Sequence, residues 1–368
     1  MSALTPRPGI LEIDPYVGGA SALPGVARTI KLSSNESPLG ASPRAVAAYG
    51  EEAARLADYP DGAAAALRAA LGARHGLDPA RIVCGCGSDE ILTLLARSYA
   101  GSGDEVLYSA HGFAMYPICA RGVGATPVAA PETDLTSDVD ALLDRVSART
   151  RILFLANPNN PTGSYISGEA LARLRAGLPD SVLLVIDAAY AEYVTRNDYV
   201  DGAAMVDASA GASENVVMTR TFSKIYGLAA LRLGWAYCPP AVADVLNRLR
   251  NPFNVTRPAQ AAGIAALADI AHVDAAREHN DIWLPWFARE VTALGLTAHP
   301  SVGNFLLVGF PDEPAHNADA ANDHLNRHGI IPRKVANYGL PTCLRITIGT
   351  EEDMHAVVAA LATFMGKA

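Results

Sequence analysis

From about residue 40 onward the chain alternates between stretches with apolar residues at helical spacing and short runs that are apolar throughout. Alanine-rich helices are expected near Pro43 to Leu56 and Gly62 to His75, followed by a short strand, Ile82-Val83-Cys84, that meets a glycine turn. The next helix, Ser88 to Ala100, places Ile91, Leu94, Leu95 and Ser98 on one face. Strands are expected at Glu105 to Ser109, Thr126 to Ala129, Arg151 to Ala156, Val182 to Asp187, Asn215 to Thr219 and Gly234 to Cys238. Several are continuous apolar runs without alternation, as in strands covered on both faces by helices, which predicts a mainly parallel sheet. Asp138 to Val146 and Glu169 to Ala176 supply two of the crossover helices.

After Asn251-Pro252 the texture changes to longer helices over 258–269 and 274–294, the second holding Pro285, which is expected to kink it. Two further strands, Asn304 to Phe310 and Leu344 to Ile348, and a last helix from Asp353 to Met365 complete an α+β unit. Residues 1 to about 30 are rich in Pro and Gly and lack periodicity, which predicts an extended arm. The fold class expected is α/β, with an arm over 1–40 joining the small domain, a large domain over 41–250 and a small C-terminal α+β domain over 251–368. A length of 368 residues, beyond the size at which one core stops growing, agrees with two domains.

A net charge of −9 and the lack of any run of five like charges argue against a nucleic-acid partner. No apolar run reaches the ~18 to 20 residues of a membrane span, and the N-terminus lacks the basic-then-apolar pattern of a signal peptide. A cytoplasmic protein is expected. Cys84, Cys86, Cys119, Cys238 and Cys343 sit in largely apolar settings without a C-x-x-C pair, so they are expected to be reduced and to bind no metal. His324 and His328 have the spacing of a zinc pair, but Gly329 ends the helix at once, and histidines in a last turn complement the helix dipole.

The chemistry centres on Thr219 to Trp235. After the apolar run Val216-Val217-Met218, Lys224 stands among small hydroxyl residues, with Arg232 eight positions later. A nucleophilic lysine needs desolvation or a neighbouring cation to shed its proton, and Lys224 has apolar flanks and Arg232. Ser223 and Arg232 offer a hydroxyl and a guanidinium suited to one phosphate. A Schiff-base lysine beside a phosphate site points to pyridoxal phosphate. Gly87-Ser88-Asp89-Glu90 opens a helix after a strand and a glycine turn, with Ser88 or Gly87 expected as N-cap, and such a terminus suits phosphate. No G-x-G piece continues into a dinucleotide-binding fingerprint. Asn157-Pro158-Asn159-Asn160-Pro161 follows a strand's carboxyl end, where open α/β sheets bind ligands. Asp187, at the end of the next strand, needs a cationic partner if buried; a protonated pyridinium nitrogen would serve, with Tyr190 placed to hydrogen-bond the ring oxygen.

SKIYGLAALRLG around Lys224, DAAY at 187–190, NNPTG at 159–163, GSDE at 87–90 and LRITIG at 344–349 resemble the fold type I pyridoxal-phosphate aminotransferases, specifically the histidinol-phosphate aminotransferase group. The resemblance runs over essentially the full length, in the family's order. It implies that Lys224 carries pyridoxal 5'-phosphate as a Schiff base and shuttles the substrate's α-proton in a ping-pong reaction. It implies Asp187 on the pyridine nitrogen, Asn160 and Tyr190 on the ring oxygen, and Gly87, Ser88, Ser223 and Arg232 on the phosphate with Asp89 close by. Phe113 falls where the family stacks an aromatic ring, often tyrosine, on the cofactor. Tyr59 matches a tyrosine sent to the neighbour's phosphate across a homodimer with two shared sites. Arg345 matches the clamp for a substrate α-carboxylate and Arg333 an arginine for the distal phosphate, while Tyr16 and Asn35 match residues lining the substrate pocket. The implied reaction pairs L-histidinol phosphate as amino donor with a 2-oxo acid such as 2-oxoglutarate. Aromatic amino acid or prephenate transamination, and decarboxylase or lyase chemistry on the same fold, stay open.

Overall fold

The computed structural model describes residues 4–24 and 29–367; the parts of the expected arm at 1–3 and 25–28 lie outside them. The apolar runs form a seven-stranded sheet of β1 (Ile82–Cys86), β2 (Glu105–Ser109), β3 (Thr126–Ala130), β4 (Thr150–Ala156), β5 (Leu183–Asp187), β6 (Val216–Thr221) and β7 (Leu233–Tyr237). Their spatial order is β1-β7-β6-β5-β4-β2-β3. All neighbours run parallel except β7, which is antiparallel to both β1 and β6. Successive residues of β4 and β5 enter opposite cores: Leu153, Leu155, Leu184 and Ile186 pack on one side, and Ile152, Phe154, Leu183 and Val185 on the other. Two-sided burial is the reason these strands show no polar alternation.

The helix after β1 spans Gly87–Tyr99, so it starts with Gly87 rather than after it; Cys86 is the N-cap and no side chain caps the first turn. Three helices not expected from the apolar pattern, Met115–Gly122, Ala203–Ser209 and Pro240–Leu249, add to the covering layers.

A second sheet of β8 (Thr297–His299), β9 (Phe305–Gly309), β10 (Arg333–Lys334) and β11 (Cys343–Thr347) is antiparallel throughout, in the order β8-β9-β11-β10. Its core is closed by Phe287 and Val291 of the helix Ile270–Ala293, Leu325 of the helix Ala318–Arg327, and Met354 and Val357 of the helix Glu351–Phe364. The helix Ile270–Ala293 is a single span that includes Pro285.

Beyond the boundary expected at 250, the chain still packs against the large sheet's core. The helix Arg257–Ala268 buries Ala259, Ala262, Ala266 and Leu267 in the cluster that also holds Leu67, Leu71 and Leu233 under the large sheet. Its small residues allow that close approach. The arm is sewn to the small unit, since Ile30–Lys31 pairs in parallel with Ile330–Ile331. Among the described residues, no helix is long and apolar enough to cross a membrane, and all five cysteines are free.

Candidate active site

The carboxyl ends of β1, β4, β5 and β6 open into one cavity of about 270 Å³, which Arg345 of β11 and arm residues including Tyr16 and Asn35 close from the other side. Twelve of the fifteen residues singled out from sequence line it; Gly87 is adjacent to its wall, and Arg333 and Tyr59 lie elsewhere.

Lys224 sits on the turn that follows β6. Ser223 N donates to Thr221 Oγ1 at 3.1 Å and Phe222 N to Leu233 O at 2.9 Å, which ties the turn to β7. Lys224 Nζ donates to Ser34 O at 3.0 Å. Burial, then the Arg345 charge and more weakly Arg232, pulls its ammonium down to about 8, against the opposing carboxylates of Asp89 and Glu36. About a tenth of this amine is therefore unprotonated at pH 7, several hundred times the share at the ordinary lysine value.

On one flank lies a basic cradle. Arg232, in the left-handed conformation at φ 51°, donates from Nη1 to Ser223 Oγ at 3.2 Å and from Nη2 to Asp89 Oδ2 at 3.1 Å. Gly87 has φ 78°, and a Cβ there would stand 2.6 Å from Arg232 Nη2; a Cβ on Gly234 would stand 2.3 Å from Ser88 N. Glycine at both positions is what lets the guanidinium and the first turn of the helix share this space.

At the cavity floor, the buried Asp187 accepts from Tyr116 OH at 3.0 Å and from Thr219 Oγ1 at 3.2 Å. It has no ion-pair partner among the described residues, and burial pushes its carboxyl up to about 6. Sequence reasoning singled out neither Tyr116 nor Thr219 as a partner of Asp187. Tyr116 was in plain view beside Phe113, but its partner lies 71 positions away.

Opposite the lysine, Arg345 is buried. It donates from Nη1 to Asn160 Oδ1 and from Nη2 to Ser33 O at 2.6 Å, and its Nε has no hydrogen-bond partner among the described residues. Asn35, at φ 56°, donates from Nδ2 to Tyr190 OH at 2.9 Å, and its backbone N–H donates to Thr347 Oγ1 at 3.0 Å. Asn304 Nδ2 donates to Asn35 O at 3.0 Å. The carbonyls of Ser33, Ser34 and Asn35 thus hold one group each from the small sheet, the lysine and the 304 position, a strap no side-chain pattern discloses. Burial raises the Tyr190 phenol well above its ordinary range, so the hydroxyl that accepts from Asn35 is neutral here.

Phe113 lines the cavity and meets Tyr116 edge-on at 5.9 Å. Its turn is fixed by Glu132, which accepts from His111 N and faces His111 Nδ1 at 2.8 Å. Arg333 lies in an adjoining cleft, where Nη2 donates to Val17 O at 2.8 Å and the guanidinium lies 5.9 Å from the Tyr16 ring; Tyr16 borders both spaces. Tyr59 is 77% exposed, stacked on Phe253 at 4.5 Å, and does not line the cavity of its own chain.

Fold and cavity together define a lysine-centred α/β protein in which a basic cradle, a buried carboxylate and a buried arginine surround one space. The family model described as aminotransferase class I and II matches residues 27–361. The histidinol-phosphate aminotransferase of Paramagnetospirillum magneticum is 59% identical over the full length of both chains, and that of Rhodospirillum centenum 58% identical over 99% of each. Among solved structures, the histidinol-phosphate aminotransferase from Sinorhizobium meliloti in complex with pyridoxal-5'-phosphate superposes with a TM-score of 0.85 at 31% identity, covering 93% of this chain and 92% of that one. The chain belongs to the aminotransferase class I and II family and, within it, to the histidinol-phosphate aminotransferases.

Proposed function

We propose that the chain binds pyridoxal 5'-phosphate and transfers the amino group of L-histidinol phosphate to 2-oxoglutarate in a ping-pong reaction. The observation that carries this reading is the convergence in one cavity of a lysine held near 8, a buried carboxylate lacking a cation and a buried arginine with an unpaired Nε.

The residues present fit the cofactor. Asp187 is costly to ionise alone and offers a place for one cation, which a pyridinium nitrogen would supply. The cradle of Gly87, Ser88, Ser223 and Arg232 suits a phosphate, with Asp89 holding Arg232 in place. Lys224 would anchor the cofactor, Asn160 and Tyr190 would hydrogen-bond its ring oxygen, and Phe113 would stack on the ring. When bound, the cofactor supplies an electron sink for the bond broken at the substrate's α-carbon.

Lys224 Nζ takes the proton from that α-carbon and returns it on the far side of the transfer. Its depressed basicity places it near the working pH, where a general base is most effective. L-Histidinol phosphate carries a phosphate ester where an amino acid carries its α-carboxylate, so Arg345 serves the donor's phosphate in one half-reaction and the acceptor's carboxylate in the other. Arg333 and Tyr16 extend the anion site toward the adjoining cleft, and Asn35 orients Tyr190.

The same proposal takes the working unit as a cytoplasmic homodimer, with Tyr59 of each chain completing the other's phosphate site. Support comes from the exposure of Val46, Tyr49, Leu56 and Tyr59, large apolar side chains within one short stretch of the chain.

The test is titration of the pyridoxal-phosphate form with L-histidinol phosphate, L-phenylalanine and L-glutamate while the cofactor's visible band is followed. Loss of the band at far lower histidinol phosphate than phenylalanine supports the proposal. Preference for phenylalanine moves the protein to aromatic substrates, and no Schiff-base band at all overturns the cofactor reading.

A further inference from the structure

Tyr116 belongs to neither the lysine nor the phosphate side of the site, yet it is fully buried, and its hydroxyl donates to Asp187. Its ring stacks on Phe154 of β4 at 4.9 Å with planes 9° apart, and meets Phe113 edge-on. The ring is thereby fixed, and the hydroxyl can point only where this packing aims it. Thr219 of β6 donates to the other carboxylate oxygen. With both oxygens engaged from either side, the carboxylate plane is set before any ligand arrives. The charged groups that also face Asp187 are Asp89, which opposes its ionisation, and Lys224, which favours it.

We infer that Tyr116 is a positioning residue for this reaction, whose hydroxyl keeps Asp187 ionised and oriented toward the ring nitrogen of the cofactor, with Thr219 as its counterpart. The inference rests on the reading of the site given above. A carboxylate that accepts two hydroxyl bonds is a weaker base than a bare one in the same apolar surroundings. The proton shared with a ring nitrogen then stays on the ring, where it makes the ring an effective electron sink. Without the phenol it shifts toward the carboxylate.

The experiment compares the full chain with Tyr116→Phe, which keeps the ring and its stacking, and with both in an Asp187→Asn background. Cofactor-free protein is titrated with pyridoxal phosphate, and the pH midpoint of the bound chromophore is measured. Tyr116→Phe is expected to weaken uptake by about 10-fold or more, as loss of a hydrogen bond to a charged group does. It should also raise the chromophore's midpoint, because a less protonated ring holds the Schiff-base proton more tightly. In the Asp187→Asn background the Tyr116→Phe change should do neither. Unchanged uptake and midpoint in Tyr116→Phe, or equal losses in both backgrounds, overturn the inference and leave the cofactor reading intact. Absence of a Schiff-base band in the unaltered chain overturns both.

Discussion

Arg345 and Arg333 stand opposite each other in register on neighbouring antiparallel strands, yet they line different spaces. Like charges directly opposed on a sheet repel. Here the repulsion is eased by separate partners, Asn160 and Ser33 for the one, Val17 and the Tyr16 ring for the other. A doubly charged anion between them would relieve it further. Arg333→Ala should therefore raise KM for L-histidinol phosphate about 10-fold or more while leaving that for L-glutamate nearly unchanged. Arg345→Lys should raise both, since lysine cannot reproduce the bidentate grip. Steady-state kinetics with the two donors checks the split.

The lysine carries a pH signature. With its ammonium held near 8 instead of the ordinary 10.5, covalent uptake of pyridoxal phosphate by cofactor-free protein should rise about tenfold per pH unit below 8 and level off above it. Stopped-flow absorbance measures this directly. Lys224→Arg should show no Schiff-base band and lose at least about 10³-fold in turnover.

Asp187 is a liability to the empty fold. Its pKa is raised from 3.8 to about 6, so its favourable contribution is fully present below 3.8, in the protonated form, and is lost as pH rises through about 6. In cofactor-free protein, Asp187→Asn should be stabilising at pH 8 by up to about 3 kcal/mol, with the difference gone near pH 4. Adding pyridoxal phosphate should reverse the order. Denaturant melts with and without cofactor test both arms.

Behind the sheet, Arg220 is buried between Glu192, at 2.9 Å, and Asp201. Removing it strands two carboxylates, one of them almost fully buried. Arg220→Met should cost roughly 3–5 kcal/mol of stability with little effect on the substrate preference of whatever protein remains folded. Thermal melts and the donor ratio read the two separately.

If Tyr59 acts across a dimer, Lys224→Ala and Tyr59→Ala chains, each weak alone, should recover part of the activity when refolded together. No recovery from a mixture shown to be dimeric would place Tyr59 outside the site.

The sheet was legible because two-sided burial writes itself as unbroken apolar runs, and the lysine, aspartate and asparagine because they end those runs. What stayed hidden follows a physical rule. Ser33 and Ser34 act through backbone carbonyls, which carry no residue signature. Tyr116 is 71 positions from Asp187, on a helix whose apolar spacing gave no clear start. The boundary at 250 followed a change in texture, whereas the helix Arg257–Ala268 owes its place to small side chains that pack closely and look unremarkable in sequence. Arg333 was named for the pocket, but only coordinates place it in a neighbouring cleft.

The strap at Ser33–Asn35 also bears on how the protein is made. Ser33 and Arg345 are 312 positions apart, and the Ile30–Lys31 strand finds its partner only at Ile330–Ile331. On the ribosome, where amino-terminal regions fold first, Lys224 and the large sheet emerge well before the strand that completes the pocket. Ser33 must wait for a partner made 312 positions later. A product terminated before β11 can present the lysine but not the arginine opposite it, so incomplete chains carry a reactive amine without a finished site.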